Sequence, residues 1–185
     1  PEFYPWYSEK EFTYHDIKQR NRNKLLWSDN TVDGLKTGFT EKAQYNLVAS
    51  ANRMGMRLIS VVLGSSSGES RTAQTQKVLD YGFRFFETRI IDKINQKIPI
   101  ANSTKDEIKV SLKNSTNVTL PRGQYKLSQQ AIKLNANLSA PINKGDSVGY
   151  LVIKFEGKTL ANLPLVALED APESGFFSRM LNKIG

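Results

Sequence analysis

The most informative stretch of this 185-residue sequence reads Val32-Asp33-Gly34-Leu35-Lys36-Thr37-Gly38-Phe39-Thr40. It predicts a strand, because β-branched and aromatic residues alternate with smaller ones between turn-forming neighbours. A turn is predicted at Glu41–Tyr45, and two further β-rich runs follow, at Asn46–Ser50 and Met56–Leu63, joined through Asn52–Gly55. These segments together predict a three-stranded antiparallel unit.

A helix is predicted directly after this unit. The segment Gly64–Gly68 interrupts the β pattern, and Ser67 or Ser70 can cap the helix that follows. Apolar residues then recur at helical spacing, namely Val78, Leu79, Gly82, Phe83 and Phe86. The spacing predicts a helix of about five turns that packs on the sheet.

The second half of the chain has a β-rich pattern. Ile108–Lys113 alternates with a period of two, as a half-buried strand does. Further short β-rich runs lie between turn signals, at Asn117–Leu120, Tyr125–Leu127, Ile132–Leu134, Val148–Phe155 and Leu163–Leu168. We expect a small all-β domain without a substantial helix, so the predicted fold class for the whole chain is α+β.

The composition excludes several classes of protein. With one His and no Cys, the chain lacks the usual ligands of zinc, haem or iron–sulfur sites and cannot form a disulfide, so no metal and no cofactor is expected. No apolar run approaches the roughly 18 to 20 residues of a spanning helix.

The charge is concentrated in the second half, where residues 88–185 carry +6 of the net +8. One interpretation is attraction to an anionic partner, such as a lipid surface, a cell-wall polymer or a nucleic acid. The alternative is a solvated surface whose lysines protect strand edges from aggregation. A nucleic-acid partner is not expected, because neither a stacking motif nor a recognition helix is evident.

The triplet Lys36-Thr37-Gly38 is one of three motifs shared by penicillin-binding proteins and class A β-lactamases. The sequence around it resembles the low-molecular-mass D-alanyl-D-alanine carboxypeptidases of the penicillin-binding protein 5/6 type. The resemblance rests on residues 21–27, 32–40, 45–51, 56–60 and 81–87. It extends over nearly the whole chain.

The resemblance implies a role for each part of the chain. Residues 1–87 correspond to the C-terminal part of a serine carboxypeptidase catalytic domain, and residues 88–172 to the family's β-rich C-terminal domain. Residues 173–185 correspond to the start of an amphipathic membrane-anchor helix. In this last segment, Phe176, Phe177, Met180, Leu181 and Ile184 fall on one side of a helical wheel, with Arg179 and Lys183 on the other.

The resemblance also implies site residues. Lys36 would supply positive charge to the cleft, Thr37 would donate its hydroxyl to the substrate carboxylate, and Gly38 would let the peptide lie along the strand. The backbone N–H of Phe39 would be one oxyanion-hole donor. Two arginines match family positions beside the cleft, Arg71 and Arg22, and either could bind the carboxylate. For each arginine, a plain surface salt bridge is an equally good interpretation.

The family's nucleophile is missing from this sequence. Family enzymes carry Ser-x-x-Lys and Ser-x-Asn upstream of the Lys-Thr-Gly strand, and no serine in this chain is followed three residues later by Lys. Ser28-Asp29-Asn30 and Ser115-Thr116-Asn117 fit the second pattern only as text, because the first is too near the strand and the second lies in the β-rich half. We therefore interpret the chain as the C-terminal part of such an enzyme, inactive by itself. Its missing N-terminal part could exist as a separate segment.

Two functions follow as hypotheses. In the first, the parent enzyme removes the terminal D-Ala from peptidoglycan pentapeptides through an acyl-enzyme, binds β-lactams, and works in the periplasm at the outer face of the bacterial inner membrane. There the C-terminal helix would contact the anionic membrane surface. In the alternative, the β-rich half is a non-catalytic spacer or interaction module at that surface.

Overall fold

The computed structural model describes residues 1–175, which divide into two compact units. The first unit comprises residues 1–88 together with 119–122, and, among the described residues, the second comprises 89–118 and 123–175. The predicted domain bounds at residues 87 and 172 stay a prediction.

The first unit is built on an antiparallel three-stranded sheet with the order β3-β4-β5. Its elements are β1 (Glu11–Tyr14), β2 (Ile17–Arg20), α1 (Leu25–Ser28), β3 (Val32–Thr40), β4 (Gln44–Arg53), β5 (Met56–Ser65) and α2 (Gly68–Phe85), after a 3-10 helix at Tyr4–Ser8. Helix α2 packs on β4 and β5, where Leu79 and Phe83 meet the buried faces of those strands. The core comprises Leu25, Leu26, Val32, Leu47, Ala49, Ala51, Met56, Leu79 and Phe83.

Both ends of α2 are held by side chains. At its start, the Ser67 hydroxyl accepts a hydrogen bond from the Ser70 N–H at 3.0 Å, so Ser67 is the cap. At its end, the Arg122 guanidinium donates to the carbonyl oxygens of Phe83, Arg84 and Phe86 at 2.8, 3.1 and 3.1 Å. These acceptors include carbonyls that the last helical turn leaves without intrahelical partners. Arg122 therefore joins residues 119–122 to the first unit.

The second unit contains a five-stranded antiparallel sheet with the order β10-β11-β12-β8-β7. Its strands are β7 (Gln96–Pro99), β8 (Glu107–Leu112), β10 (Gln129–Leu134), β11 (Ser147–Phe155) and β12 (Lys158–Ala167). Elsewhere in the chain, β6 (Phe86–Ile91) and β9 (Thr116–Pro121) form a separate two-stranded sheet. Alternate residues of each strand face the core, as the period of two predicts. That core includes Ile108, Val110, Val148, Leu151, Ile153, Leu163 and Leu165.

The α+β class and the predicted strand–strand–strand–helix order are confirmed. Two local predictions are wrong. Tyr125–Leu127 forms a 3-10 turn rather than a strand, and Phe86 begins β6 instead of continuing the helix. The hairpin of β1 and β2 was not predicted, because all eight of its strand residues are exposed and carry no burial pattern.

The predicted amphipathic helix falls almost wholly outside the described residues. Within residues 1–175, no helix is long and apolar enough to cross a membrane.

Candidate active-site strand

Strand β3 is an edge strand whose inner side pairs with β4. The register places Lys36 opposite Val48, Gly38 opposite Asn46, and Phe39 opposite Tyr45. Among residues 1–175, no strand pairs with the other side of β3. An edge strand directs every second N–H and C=O away from its partner, so this edge can accept an extended peptide.

A cavity of about 760 Å³ lies along this strand. All six site residues predicted from the sequence line it together: Arg22, Lys36, Thr37, Gly38, Phe39 and Arg71. The structure thus brings the predicted set to one place, whereas the roles of its members stay predictions. Neither serine of the two rejected text matches lines the cavity; Ser115 instead donates to the Asp92 carboxylate at 3.0 Å in the second unit.

The triplet itself presents an open surface. The Lys36 ammonium is exposed and donates to the Thr37 carbonyl at 2.7 Å, and the Thr37 side chain is half-buried. A Cβ added at Gly38 would meet the Asn46 Cβ at 3.8 Å, an ordinary van der Waals contact. Packing behind the strand therefore does not require glycine at position 38, and a requirement for glycine would have to come from the cavity side.

Arg71 is a buried cation without an anionic partner. The residue is 7% exposed, and its guanidinium donates weakly to the carbonyl oxygens of Gly38, Asn46 and Arg22 at 3.5, 3.4 and 3.3 Å. Its Nε is buried and makes no hydrogen bond. Burial lowers the pKa of Arg71, because desolvation disfavours the charged form. No carboxylate of residues 1–175 forms an ion pair with Arg71, although Glu69 attracts it from a greater distance.

Arg22 is exposed and adds a second positive charge near Arg71, since its field contributes to the lowered pKa of Arg71. Two asparagines hold the backbone on either side of it. The Asn21 amide donates to the carbonyls of Tyr7 and Glu9, and the fully buried Asn23 donates to the Gly34 carbonyl at 3.1 Å. The local pattern Asn-Arg-Asn therefore fixes the loop against β3. Sequence reasoning missed these two positioning residues, although asparagine is typical of loops with side-chain to backbone hydrogen bonds.

An aromatic pair borders the cavity. The rings of Phe39 and Tyr45 lie 4.5 Å apart, and the Arg71 guanidinium lies 5.6 Å from the Tyr45 ring. Phe39 is half exposed, so part of this residue remains accessible to solvent. Tyr45 was predicted only as a turn residue, and its place over Arg71 follows from the β3–β4 register.

Among residues 1–175, no three His, Asp or Glu side chains gather into a group that could hold a metal ion.

Family models of known proteins match both halves of the chain. The family model for D-alanyl-D-alanine carboxypeptidase matches residues 1–67, and the model for the penicillin-binding protein 5 C-terminal domain matches residues 86–173. Both halves of the chain are therefore similar to D-alanyl-D-alanine carboxypeptidases of the penicillin-binding protein 5 type.

Individual members of this carboxypeptidase family align with almost the whole chain. The carboxypeptidases DacA and DacC of Escherichia coli K12 are 41% and 43% identical to it, over 100% and 97% of this chain and 47% and 46% of their own lengths. The crystal structure of penicillin-binding protein 5 from Haemophilus influenzae superposes with a TM-score of 0.78 at 39% identity, covering 94% of this chain and 52% of that one. The chain thus spans about half the length of the carboxypeptidases it matches.

Proposed function

We propose that this chain contributes the substrate-binding strand and the β-rich domain of a serine-type D-Ala-D-Ala carboxypeptidase. The enzyme would remove the terminal D-Ala from peptidoglycan pentapeptides through an acyl-enzyme, and β-lactams would occupy the same cleft. The observation that carries this proposal is the shared cavity of Lys36-Thr37-Gly38 and Arg71, in which a buried guanidinium has no carboxylate partner.

The terminal carboxylate of the substrate supplies the missing anion. Four cations line the cavity, namely Arg20, Arg22, Lys36 and Arg71. Arg20 pairs with Glu11 at 3.3 Å, which leaves three cations for a ligand, and the Thr37 hydroxyl adds a donor for the carboxylate. A charge-assisted hydrogen bond to a carboxylate in a partly desolvated cleft is stronger than the same bond in water. These groups would therefore select peptides that end in a free carboxylate.

The peptide backbone would bind along the open edge of β3 as an added strand. Gly38 keeps the edge free of a side chain, and the Phe39 N–H would donate to the carbonyl oxygen of the penultimate D-Ala. When a serine hydroxyl attacks that carbonyl, its proton passes to a base and the carbonyl oxygen becomes an oxyanion, which the Phe39 N–H stabilises. The C–N bond then breaks, D-Ala leaves with a proton, and water later releases the acyl group.

These 185 residues do not include the serine that would be acylated, because the sequence holds no Ser-x-x-Lys. We therefore expect no covalent adduct when the 185-residue chain is incubated with a fluorescent penicillin and separated by denaturing electrophoresis. A labelled band at the mass of this chain would overturn the assignment of these residues to substrate binding alone.

The carboxylate-binding role can be tested in a hybrid enzyme in which this chain replaces the matching part of E. coli DacA. Two peptide substrates are compared, one ending in D-Ala-D-Ala carboxylate and one in the corresponding carboxamide. Arg71→Lys should lower kcat/KM for the carboxylate by at least tenfold and leave the poor carboxamide substrate nearly unchanged. A loss that appears with the carboxylate substrate and not with the carboxamide shows that the substitution has removed a contact between Arg71 and the substrate carboxylate.

Arg57→Lys is the matched control, because Arg57 lies in the same unit but pairs with Asp33 at 2.8 Å and does not line the cavity. It should affect both substrates equally. If Arg71→Lys also lowers the two rates by the same factor, Arg71 supports the fold and does not bind the carboxylate.

We infer a periplasmic location at the outer face of the bacterial inner membrane, with residues 173–185 as the contact to its anionic surface. Support comes from the proposed substrate, which lies outside that membrane, and from the sequence of this segment, whose apolar and basic residues fall on different sides of a helical wheel.

A further inference from the structure

We propose that the outer face of the second unit's sheet binds the carboxylate-bearing stem peptides of peptidoglycan. The choice of peptidoglycan rests on the proposed function, whereas the preference for an extended anionic chain comes from the face itself. Six residues define this face, which we name the lysine trough: Ala131, Lys133, Tyr150, Val152, Lys154 and Asn162.

The strand register builds the lysine trough. Lys133 lies opposite Tyr150 and Ala131 opposite Val152, while Lys154 lies opposite Gln129, and Asn162 continues the row of Val152 on β12. Two shallow cavities of about 480 and 360 Å³ lie on this face and share Lys133, Val152 and Asn162. They therefore form one continuous depression across three strands. The opposite face of the same strands carries the buried Leu151, Ile153 and Leu163.

The charge of the lysine trough is uncompensated. No carboxylate lines either cavity, and neither Lys133 nor Lys154 forms an ion pair with any residue in the described range 1–175. Two other lysines of this unit are paired, Lys105 with Glu169 at 2.8 Å and Lys97 with Glu107 at 3.5 Å. An anion at the trough would thus meet two cations without displacing an existing carboxylate.

The spacing of the two lysines favours an extended ligand. They are four positions apart along neighbouring strands, which places their Cα atoms about 14 Å apart at ~3.4 Å per residue and ~4.8 Å between strands. A single small anion would contact both ammonium groups only if both side chains bent towards the middle of the trough. An extended peptide with carboxylates three or four residues apart spans such a distance, at ~3.3–3.6 Å per residue.

The floor between the lysines suits a peptide better than a lipid surface. Ala131 and Val152 are small and leave the depression open, and the Asn162 amide and the half-exposed Tyr150 hydroxyl make no hydrogen bond within residues 1–175. Amide and hydroxyl groups can pair with peptide N–H and C=O groups. A membrane-binding face would instead present apolar side chains for insertion among its basic residues.

Co-sedimentation of the 185-residue chain with purified peptidoglycan sacculi tests the proposal. The double variant Lys133→Gln/Lys154→Gln should bind at least fivefold more weakly than the unmodified chain. The control Lys113→Gln/Lys144→Gln removes the same charge from two exposed lysines outside the trough and should bind normally. Equal losses in both double variants would show that net charge alone attracts the chain, and would overturn the proposal.

Two further arms identify the ligand. Sacculi whose carboxylates have been converted to amides should lose most of the binding, and unchanged binding would exclude stem-peptide carboxylates. The trough variant and the control should bind equally to vesicles of phosphatidylcholine with 30% phosphatidylglycerol. If the trough variant loses binding to these vesicles and keeps binding to sacculi, the face binds a membrane instead. Hydrolysis of the two peptide substrates by the hybrid enzyme tests the carboxypeptidase cleft, and sacculus co-sedimentation of the two double variants tests the trough, so failure of the proposed carboxypeptidase function and failure of this proposal remain distinguishable.

Discussion

Asp29 and Arg53 form a short ion pair in the first unit, with the arginine Nη2 2.7 Å from the carboxylate Oδ2. Asp29 also accepts hydrogen bonds from the Thr31 N–H and hydroxyl and from the Gln76 amide. Burial on its own raises the pKa of Asp29, but the hydrogen bonds from Thr31, Arg53 and Gln76 outweigh it and lower the pKa to about 2. The pair fixes the loop that enters the candidate substrate-binding strand.

The lowered pKa of Asp29 makes the stability of the first unit depend on pH. The folded-state pKa is below the unfolded value near 4, so the stabilisation is present above pH 4 and is lost as the pH falls towards 2. Asp29→Asn should reduce the free energy of unfolding of the first unit by about 2 kcal/mol at pH 7 and much less at pH 2 to 3. Urea denaturation followed by tryptophan fluorescence measures it, since Trp6 and Trp27 both lie in this unit.

The control for Asp29 is Asp80, which contacts the same arginine at 3.0 Å but has a side chain 54% exposed. Asp80→Asn should cost less than about 1 kcal/mol at pH 7, as exposed ion pairs do. Equal costs for both variants would show that burial does not distinguish the two carboxylates.

Removal of the Arg122 side chain from the end of α2 should also lower the stability of the first unit. Arg122→Ala leaves three carbonyl oxygens at the end of α2 without their donor, which should cost about 1 to 3 kcal/mol. The cost of Arg122→Lys should be smaller than that of Arg122→Ala but not zero. An ammonium keeps the favourable charge near the helix C-terminus but cannot reach all three acceptors. Tryptophan-detected urea unfolding again provides the measurement. Lys126→Ala, an exposed neighbour, serves as the control, and an equal effect would refute the cap.

The predicted domain division can be tested on an isolated piece. Residues 88–172 should fold alone, since they contain the core of the second unit. Circular dichroism should show a β spectrum and a cooperative thermal transition. A coil spectrum would refute the division.

We expect the C-terminal segment, residues 173–185, to bind weakly to membranes. A short amphipathic helix with basic residues should bind partly to anionic vesicles, in a salt-sensitive way, and little to neutral ones. Vesicle co-sedimentation compares the chain with and without residues 173–185. Equal binding of both forms would remove the anchor role from this segment.

Periodicity was sufficient to predict elements with one buried face. Strands β3, β5, β8 and β11 alternate between core and solvent, and helix α2 carries an apolar stripe and a serine cap. By contrast, the first hairpin has no buried face. Its turn residues His15 and Asp16 both have positive φ, which the sequence does not reveal because neither is glycine.

Long-range contacts could not be predicted from local sequence. Arg122 finds its acceptors 36 to 39 residues away, and Gly149 must be glycine because an added Cβ would lie 2.3 Å from the Lys133 carbonyl oxygen. The candidate site was predicted from a motif, yet the burial of Arg71 without an ion-paired carboxylate emerged only from the packing of α2 on β4.

The most direct measurement of the central claim is the rate of acylation by a fluorescent penicillin, in the hybrid enzyme defined above. Lys36→Ala should lower that rate by on the order of a hundredfold or more, since the charge acts on the transition state. Folding should be retained, because Lys36 is exposed and belongs to no core. Lys42→Ala, in the turn after β3, should acylate at the normal rate. An unchanged rate in Lys36→Ala with native circular dichroism would contradict the assignment of this strand to the active site.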